Sequence, residues 1–242
     1  MSASLLLKGT ALSLIFAATV SAQDSSKTTS FRDALYARSS VSLTAIQSRP
    51  QDALARNIGL GYGANATYLF RLDRSGIWSI RADLGVARYG NESHETPFSE
   101  TVGGRVNVDV STSNYVMPMS VGMQMTLPTR MVRPYANAGL GGIAFFTEST
   151  VNSASADNVI ASTTNQSSTA TSWSVGGGAY VPISFGKIPV GIDGGVQYLR
   201  GGSTRYLAQG GIIDLPDARI AINSIESTTR MMLVHLGVRI GR

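Results

Sequence analysis

Apolar and polar side chains alternate along much of the chain with a period of two, which indicates β-strands. The alternation is clearest from Tyr115 to Phe146, where we predict two long strands joined by a turn at Pro128-Thr129-Arg130. The large apolar residues of the first strand share one face: Tyr115, Met117, Met119, Val121, Met123 and Met125. Small or polar residues, such as Ser120, Gly122 and Gln124, occupy its other face. An apolar outer face over a small, polar inner face is typical of strands that contact lipid.

The same alternation predicts six further strands, at residues 38–47, 58–71, 77–89, 171–182, 189–200 and 227–241. Short turns follow the second, fourth and sixth strands. Longer connections follow the other strands, at 48–57, 90–112, 148–170 and 201–226. Val106, Val108 and Val110 alternate within 90–112, so the fourth strand can begin earlier than Tyr115. This asymmetry is typical of barrels in a bacterial outer membrane. We therefore predict an all-β fold, an eight-stranded antiparallel up-and-down transmembrane β-barrel with both termini in the periplasm.

Outward-facing aromatic residues lie near the ends of the predicted strands, where aromatic side chains mark membrane interfaces. Tyr68, Phe70 and Trp78 flank the first short turn, so they are predicted at the periplasmic interface. Tyr115, Phe146, Trp173 and Tyr198 border the long connections, so they are predicted at the outer interface. Ile58 is predicted to begin the lipid-facing row of the second strand.

Pro118 falls inside a predicted strand, although proline has no N–H for the sheet. A closed barrel has no free edge where this defect would be harmless. We predict a bulge or a broken hydrogen bond there.

The N-terminus has the pattern of a secretory signal. Lys8 precedes an apolar run from Thr10 to Val20, and Val20-Ser21-Ala22 fits a cleavage site. This run is shorter than the ~20 apolar residues that a membrane-spanning helix needs. We predict a signal peptide at 1–22, a short polar segment at 23–37 with no assigned role, and the barrel domain at 38–242.

The amino-acid composition limits the kinds of molecule that the protein is expected to bind. The chain of 242 residues has no cysteine, and its formal net charge is +5. An exported chain without disulfides can be stabilised by a closed sheet. The basic residues are scattered rather than clustered, so no nucleic acid partner is predicted.

Charged and polar residues also occupy inward positions of the predicted barrel. They are Arg71, Arg81, Asp83, Asn137, Asp193, Gln197, His235 and Arg239. An eight-stranded barrel has an interior that side chains largely fill. A polar network that satisfies these groups inside the lumen is therefore favoured over a gated ion path.

Catalytic chemistry has little support in the sequence. The two histidines are His94, predicted in a loop, and His235, predicted inside the barrel. His94, with Glu92 and Glu95 near it, has no obvious nucleophile fixed beside it, and His235 faces inward, which is a poor position to meet lipid. No spacing of His, Cys and carboxylates suggests a metal site. We predict no catalytic residue, no metal and no cofactor.

Three stretches resemble a known family. Arg133-Pro-Tyr-Ala-Asn-Ala-Gly-Leu-Gly-Gly, the glycine-rich strand at 58–71 and Leu236-Gly-Val-Arg-Ile-Gly are similar to small outer-membrane barrels of the OmpA/OmpX-like superfamily. The resemblance covers roughly 38–242. It implies insertion by the outer-membrane assembly machinery and contact with outer-membrane lipid and lipopolysaccharide. The chain ends Ile240-Gly241-Arg242, whereas the family usually ends in an aromatic residue.

Three hypotheses for function follow. The first is a non-enzymatic outer-membrane protein that stabilises the envelope or presents its long loops to a surface partner. The second is a lipid-modifying enzyme, an acyl hydrolase or transferase, with its site at the barrel rim. The third is a soluble lipocalin-like carrier, whose apolar residues would face inward.

Overall fold

The computed structural model describes residues 38–97, 107–153, 156–184, 189–215 and 219–241. Eight antiparallel strands form a closed barrel in which each strand pairs with the next and the last pairs with the first. The strands are β1 (Ser39–Pro50), β2 (Gly61–Arg71), β3 (Trp78–Pro97), β4 (Asn107–Thr126), β5 (Arg133–Ser153), β6 (Ala156–Ser184), β7 (Val190–Leu215) and β8 (Arg219–Gly241). A short helix, α1 (Asp52–Ala55), lies between β1 and β2. The predicted fold class is confirmed.

The two faces of the sheet have opposite character. On β4, Met119 and Met123 are 41% and 48% exposed on the outer surface, whereas Gln124 is 1% exposed inside. On β1, Leu43 faces outward and its neighbours Ser42 and Thr44 are buried. The apolar residues of a lipocalin-like carrier would lie inside, so that hypothesis is wrong.

No helix in the described part of the chain has the length and apolarity needed to cross a membrane. The predicted signal peptide and the segment 23–37 lie outside the described residues.

The long connections at 90–112, 148–170 and 201–226 were predicted as loops, and this prediction is wrong for most of their described residues. β3, β5 and β7 continue into these connections, and β4, β6 and β8 begin within them. Both faces of a strand beyond the lipid can be polar, so apolar alternation is not required there. Serine, threonine and valine fit such a sheet, and threonine and valine favour strands. His94 consequently lies on β3, paired with Val110, and not in a loop.

Ile58 does not face lipid as predicted. Because β2 begins only at Gly61, Ile58 belongs to the connection that follows α1, and its side chain is buried. It packs with Leu54 in an apolar cluster at the end of the barrel that carries the long hairpins. Turning this connection inward covers apolar area that would otherwise contact water.

The strand pairing is disturbed beside Pro118, as the missing N–H predicts. The pairing of β3 with β4 runs to Leu84–Met119 and resumes at Ala87–Val116 with unchanged register. On the other side, Pro118 remains paired with Ile143 of β5. A Cβ placed on Gly85 would lie 3.2 Å from Pro118 Cγ, so the glycine leaves room for the proline ring. The bulge in this pair lies elsewhere, between Arg88 and Gly90.

The orientation of β4 can be tested with a nitroxide attached to Met123→Cys in lipid bilayers. We expect frequent collisions with dissolved oxygen and few with a water-soluble nickel complex, because this side chain faces lipid. Met131→Cys is the control, since Met131 lies in a short turn and is 82% exposed. Collision mainly with the nickel complex at position 123 would contradict the assignment of faces.

Candidate functional site: the barrel interior

The interior has two layers. Toward the end with the short turns, every strand contributes at least one buried polar side chain: Ser42, Thr67, Arg81, Gln124, Asn137, Ser174, Asp193 and Arg239, in the order of the strands. Toward the long hairpins, the buried side chains are mainly apolar. We call these the polar layer and the apolar layer.

One half of the polar layer is centred on an ion pair within β3. The Arg81 guanidinium donates to both carboxylate oxygens of Asp83, at 2.7 and 2.9 Å. Asp83 also accepts a hydrogen bond of 2.6 Å from Thr67 on β2. Arg81 donates to Gln124 Oε1 on β4 at 2.8 Å. These bonds link three adjacent strands and satisfy two buried charges that would be costly alone.

The other half is centred on Asp193 of β7. Arg239 of β8 donates to Asp193 Oδ2 at 2.6 and 3.1 Å through Nη2 and Nε. Ser42 of β1 donates to the same oxygen at 2.9 Å. Tyr135 of β5 donates to Oδ1 at 2.8 Å. One carboxylate therefore connects four strands, including strands that are not neighbours in the sheet.

Tyr135 joins the two halves. Its ring lies between two guanidinium groups, with Arg81 Cζ at 5.8 Å and Arg239 Cζ at 5.4 Å from the ring centre. Such contacts with a π face are favourable for cations, especially away from water. A Cβ on Gly178 of β6 would lie 2.6 Å from the Tyr135 hydroxyl oxygen, so the glycine at this position makes space for the tyrosine.

The eight residues predicted for the lumen are not all equivalent. The structure buries Arg81, Asp83, Asn137, Asp193, Gln197, His235 and Arg239 inside the barrel, and it places Arg71 half-buried at the mouth. Gln197 donates to Ser174 at 3.0 Å. The strongest bonds also use Tyr135, Gln124 and Thr67, which the sequence had not marked as site residues. The sequence did contain a signal for these three residues, because the period-two alternation of their strands puts their side chains on the inward face.

Among the described residues, His235 contacts Tyr135 and no group that it could activate as a nucleophile. Its Nε2 lies 3.0 Å from the Tyr135 hydroxyl, and the side chain is buried within the polar layer. A serine nucleophile needs a base within hydrogen-bonding reach, and no hydrogen bond between His235 and a serine is found in the described residues. The described residues also contain no group of His and carboxylate side chains that could hold a metal ion.

The apolar layer crosses the lumen between the polar layer and the long hairpins. Leu54, Ile143 and Met231 are each 1% exposed or less, although they come from α1, β5 and β8. Tyr89 and Phe145 meet edge to face, with ring centres 6.1 Å apart. Apolar inward residues near the hairpins were the sequence signal for this layer, but only a polar interior was predicted.

The aromatic residues predicted at the membrane interfaces lie on the outer surface of the barrel, and four of them form two neighbouring pairs. Tyr115 stacks on Phe146 with ring centres 5.1 Å apart, and Trp173 contacts Tyr198 at 5.9 Å. Near the short turns, Tyr68 and Trp78 are 39% and 45% exposed, and Phe70 is half-buried. Their position relative to the membrane stays a prediction.

Asp73 organises the short turn between β2 and β3. Its carboxylate accepts hydrogen bonds from the backbone N–H groups of Trp78 and Ile77, at 2.8 and 3.2 Å. The bond from Trp78 is the main cause that lowers the pKa of Asp73. Hydrogen bonds to the charged form favour ionisation, so the turn is most stable above the ordinary carboxyl pKa and weakens as the pH falls below it.

The fold and its polar lumen define a class, the small outer-membrane β-barrels. The family model for the outer membrane protein beta-barrel domain matches residues 10–211, and the chain belongs to this family. Proteins of this family reside in the outer membrane of Gram-negative bacteria, and so does this one. No curated protein matches the sequence.

Several solved structures are similar to this chain. Neisserial surface protein A is 12% identical, with a TM-score of 0.42, and the match covers 84% of this chain and 97% of that one. A major outer membrane protein from Thermus thermophilus is 13% identical, with a TM-score of 0.41 and coverage of 82% and 98%. Ail, the attachment invasion locus protein of Yersinia pestis, is 16% identical, with a TM-score of 0.38 and coverage of 84% and 98%.

Asp193→Asn tests the energetic role of the polar layer. The substitution leaves the Arg239 guanidinium buried without its carboxylate, so we expect a loss of about 3–5 kcal/mol in the free energy of unfolding. Asp52→Asn is the matched control, because Asp52 forms a 2.7 Å ion pair with Arg230 on the surface. There the loss should stay below about 1 kcal/mol.

The measurement is reversible urea unfolding of both variants in lipid vesicles. The two ion pairs have almost the same length, 2.6 and 2.7 Å, and differ in burial. Equal losses in the two variants would show that burial does not determine their contributions.

Proposed function

We propose that this outer-membrane barrel is non-enzymatic, that it stabilises the envelope, and that it presents its long outer hairpins to a surface partner. The observation that carries the proposal is the occluded interior combined with strands much longer than a membrane crossing requires. Insertion by the outer-membrane assembly machinery is part of the same proposal.

The filled lumen argues against transport. An ion that crossed the barrel would have to pass Leu54, Ile143 and Met231, which are packed against their neighbours with almost no exposed surface. Moving a bare charge through an apolar layer is strongly unfavourable. Below this layer, the charged groups are bound to each other. A gated ion path is therefore the less favoured interpretation.

The outer hairpins supply the surface for a partner. A membrane crossing needs about 9–11 residues per strand. β1 and β2 have 12 and 11 residues, but β6 and β7 have 29 and 26. All of the additional length lies on the side of the long hairpins. From Phe146 to Ser153, β5 alone continues for roughly 23 Å. A paired sheet of this length is a more ordered platform than the loops expected from the sequence.

Arginine side chains on the outer surface suit contact with lipopolysaccharide. Arg49, Arg88 and Arg200 are exposed on β1, β3 and β7. Arg88 is paired with Tyr115 and Arg200 with Trp173, so these arginines lie at the level of the aromatic residues proposed for the outer interface. Guanidinium groups bind phosphate well. We place the phosphates of the outer leaflet at this level.

The enzyme hypothesis is the weaker alternative. His235 is held inside the barrel by its contact with Tyr135, far from where a lipid chain would lie. Among the described contacts of His235, none supplies a nucleophile for it to activate. His94 lies on β3, in the part that extends beyond Tyr89, and the sequence pattern fixes no nucleophile beside it.

Conductance in planar bilayers tests the sealed interior. We expect the reconstituted protein to give no stable conductance steps, because the apolar layer excludes hydrated ions. A porin reconstituted in parallel shows that insertion can be detected. Reproducible steps that scale linearly with voltage would contradict the sealed interior.

Lipid A profiles test the enzyme alternative. We expect identical mass spectra of lipid A from the native host, from the deletion strain and from a strain with His94→Ala and His235→Ala. The reason is that His235 is bound within the polar layer, away from lipid, and that the sequence pattern fixes no nucleophile beside His94. A lipid A species that disappears in both altered strains would establish enzymatic activity instead.

A further inference from the structure

A cavity of about 330 Å³ opens at the periplasmic end of the barrel, between the polar layer and the short turns. We call it the mouth cavity. Small-molecule sites usually occupy about 300–1,000 Å³, so the volume is sufficient for a compact solute or a headgroup. The described residues that line it include three arginines, Arg71, Arg133 and Arg239, and no aspartate or glutamate.

Arg133 brings a positive charge to the mouth cavity that its own hydrogen bond does not balance. Arg239 is paired with Asp193, deeper in the lumen. Arg133 donates from Nε to the neutral backbone carbonyl of Thr129 at 3.2 Å, a bond that leaves its charge in place. Arg71 folds against the turn at Gly76, where an added Cβ would lie 3.4 Å from Arg71 Nη1. Arginines arranged in this way favour an anion.

Tyr180 provides a second, independent observation. The residue is 4% exposed, it lines the mouth cavity, and its hydroxyl group has no hydrogen-bond partner among the described atoms. Its ring lies beneath two guanidinium groups, with Arg239 Cζ at 4.9 Å and Arg133 Cζ at 5.9 Å. A buried hydroxyl without a partner costs about 1–3 kcal/mol. The hydroxyl oxygen is itself buried, so a shift of the ring toward the cavity would bring it to a ligand oxygen that satisfies it.

Space for this tyrosine is provided by a neighbouring glycine. A Cβ on Gly191 of β7 would lie 2.6 Å from Tyr180 Cε2. Any residue larger than glycine at position 191 would therefore push the Tyr180 ring out of its place. Because the ring stays in place, the Tyr180 hydroxyl lies close to Arg133 and Arg239 at the mouth of the barrel.

We propose that the mouth cavity is a binding site for a small phosphate-bearing ligand that reaches it from the periplasm. Arg133 would neutralise the phosphate, Arg71 lies beside it in the lining, and the Tyr180 hydroxyl would donate a hydrogen bond to one of the phosphate oxygens. Two sources share this chemistry, a soluble phosphorylated solute and the headgroup of an inner-leaflet phospholipid. The site is separate from the outer hairpins and needs no surface partner.

Binding is measured by calorimetry on the full-length mature protein in a neutral detergent. The soluble probe is glycerol 3-phosphate, and the lipid probe is short-chain phosphatidylglycerol, with short-chain phosphatidylcholine for comparison. We expect at least one phosphate probe to bind, more weakly at higher salt. Arg133→Gln and Tyr180→Phe should each weaken binding about tenfold or more, because each removes a hydrogen bond to a charged group. Binding of glycerol 3-phosphate identifies a soluble source, and binding of phosphatidylglycerol alone identifies a lipid source.

Two controls keep the test decisive. Arg56→Gln removes an exposed arginine beside α1, at the other end of the barrel, and should leave binding unchanged. Without ligand, Tyr180→Phe should unfold at the same urea concentration as the parent protein or at a higher one, because the hydroxyl it removes forms no bond there and is costly to bury. The proposal is overturned if neither phosphate probe binds. It is also overturned if Arg133→Gln and Tyr180→Phe bind as tightly as the parent protein.

Discussion

Hydrocarbon offers no hydrogen bonds to a peptide group, and this requirement shapes the barrel more than any other. Every strand that crosses lipid must pair on both sides, so the sheet has to close. The closure occurs between β1 and β8, where Leu43 is paired with Val238 and Ser42 with Arg239. The alternation that makes the sheet apolar outside also turns Ser42 and Arg239 inward. Closure and the polar interior therefore follow from the same geometry.

The interior then has to satisfy the groups that closure places there. Arg81 with Asp83 and Arg239 with Asp193 would each be unfavourable as single buried charges. Tyr135 lies between the two arginines and donates to Asp193, so both ion pairs belong to one connected network. Glycines at positions such as Gly178 give these large side chains the space that a narrow eight-stranded barrel otherwise lacks. The apolar layer above closes the lumen without further charge.

The two ends of the barrel have different chemistry. One end continues as a sheet on long hairpins, whose strands no longer need an apolar face. The other end stops at short turns, one of them organised by Asp73, and opens into a cavity lined by arginines. The hairpin end is where we propose a surface partner, and the short-turn end is where we propose a small ligand.

The sequence by itself determined the strand count, the outward row from Met117 to Met125 and the defect at Pro118, because these depend on local alternation and on the chemistry of one residue. It failed for the outer hairpins, where solvent on both faces removes the alternation that marks a strand. It also placed Ile58 in lipid, because alternation does not show where a connection turns inward. Only the tertiary structure decided that Tyr135, Asp193 and Arg239 meet, since their contacts join strands that are distant in sequence and depend on the register of a closed sheet.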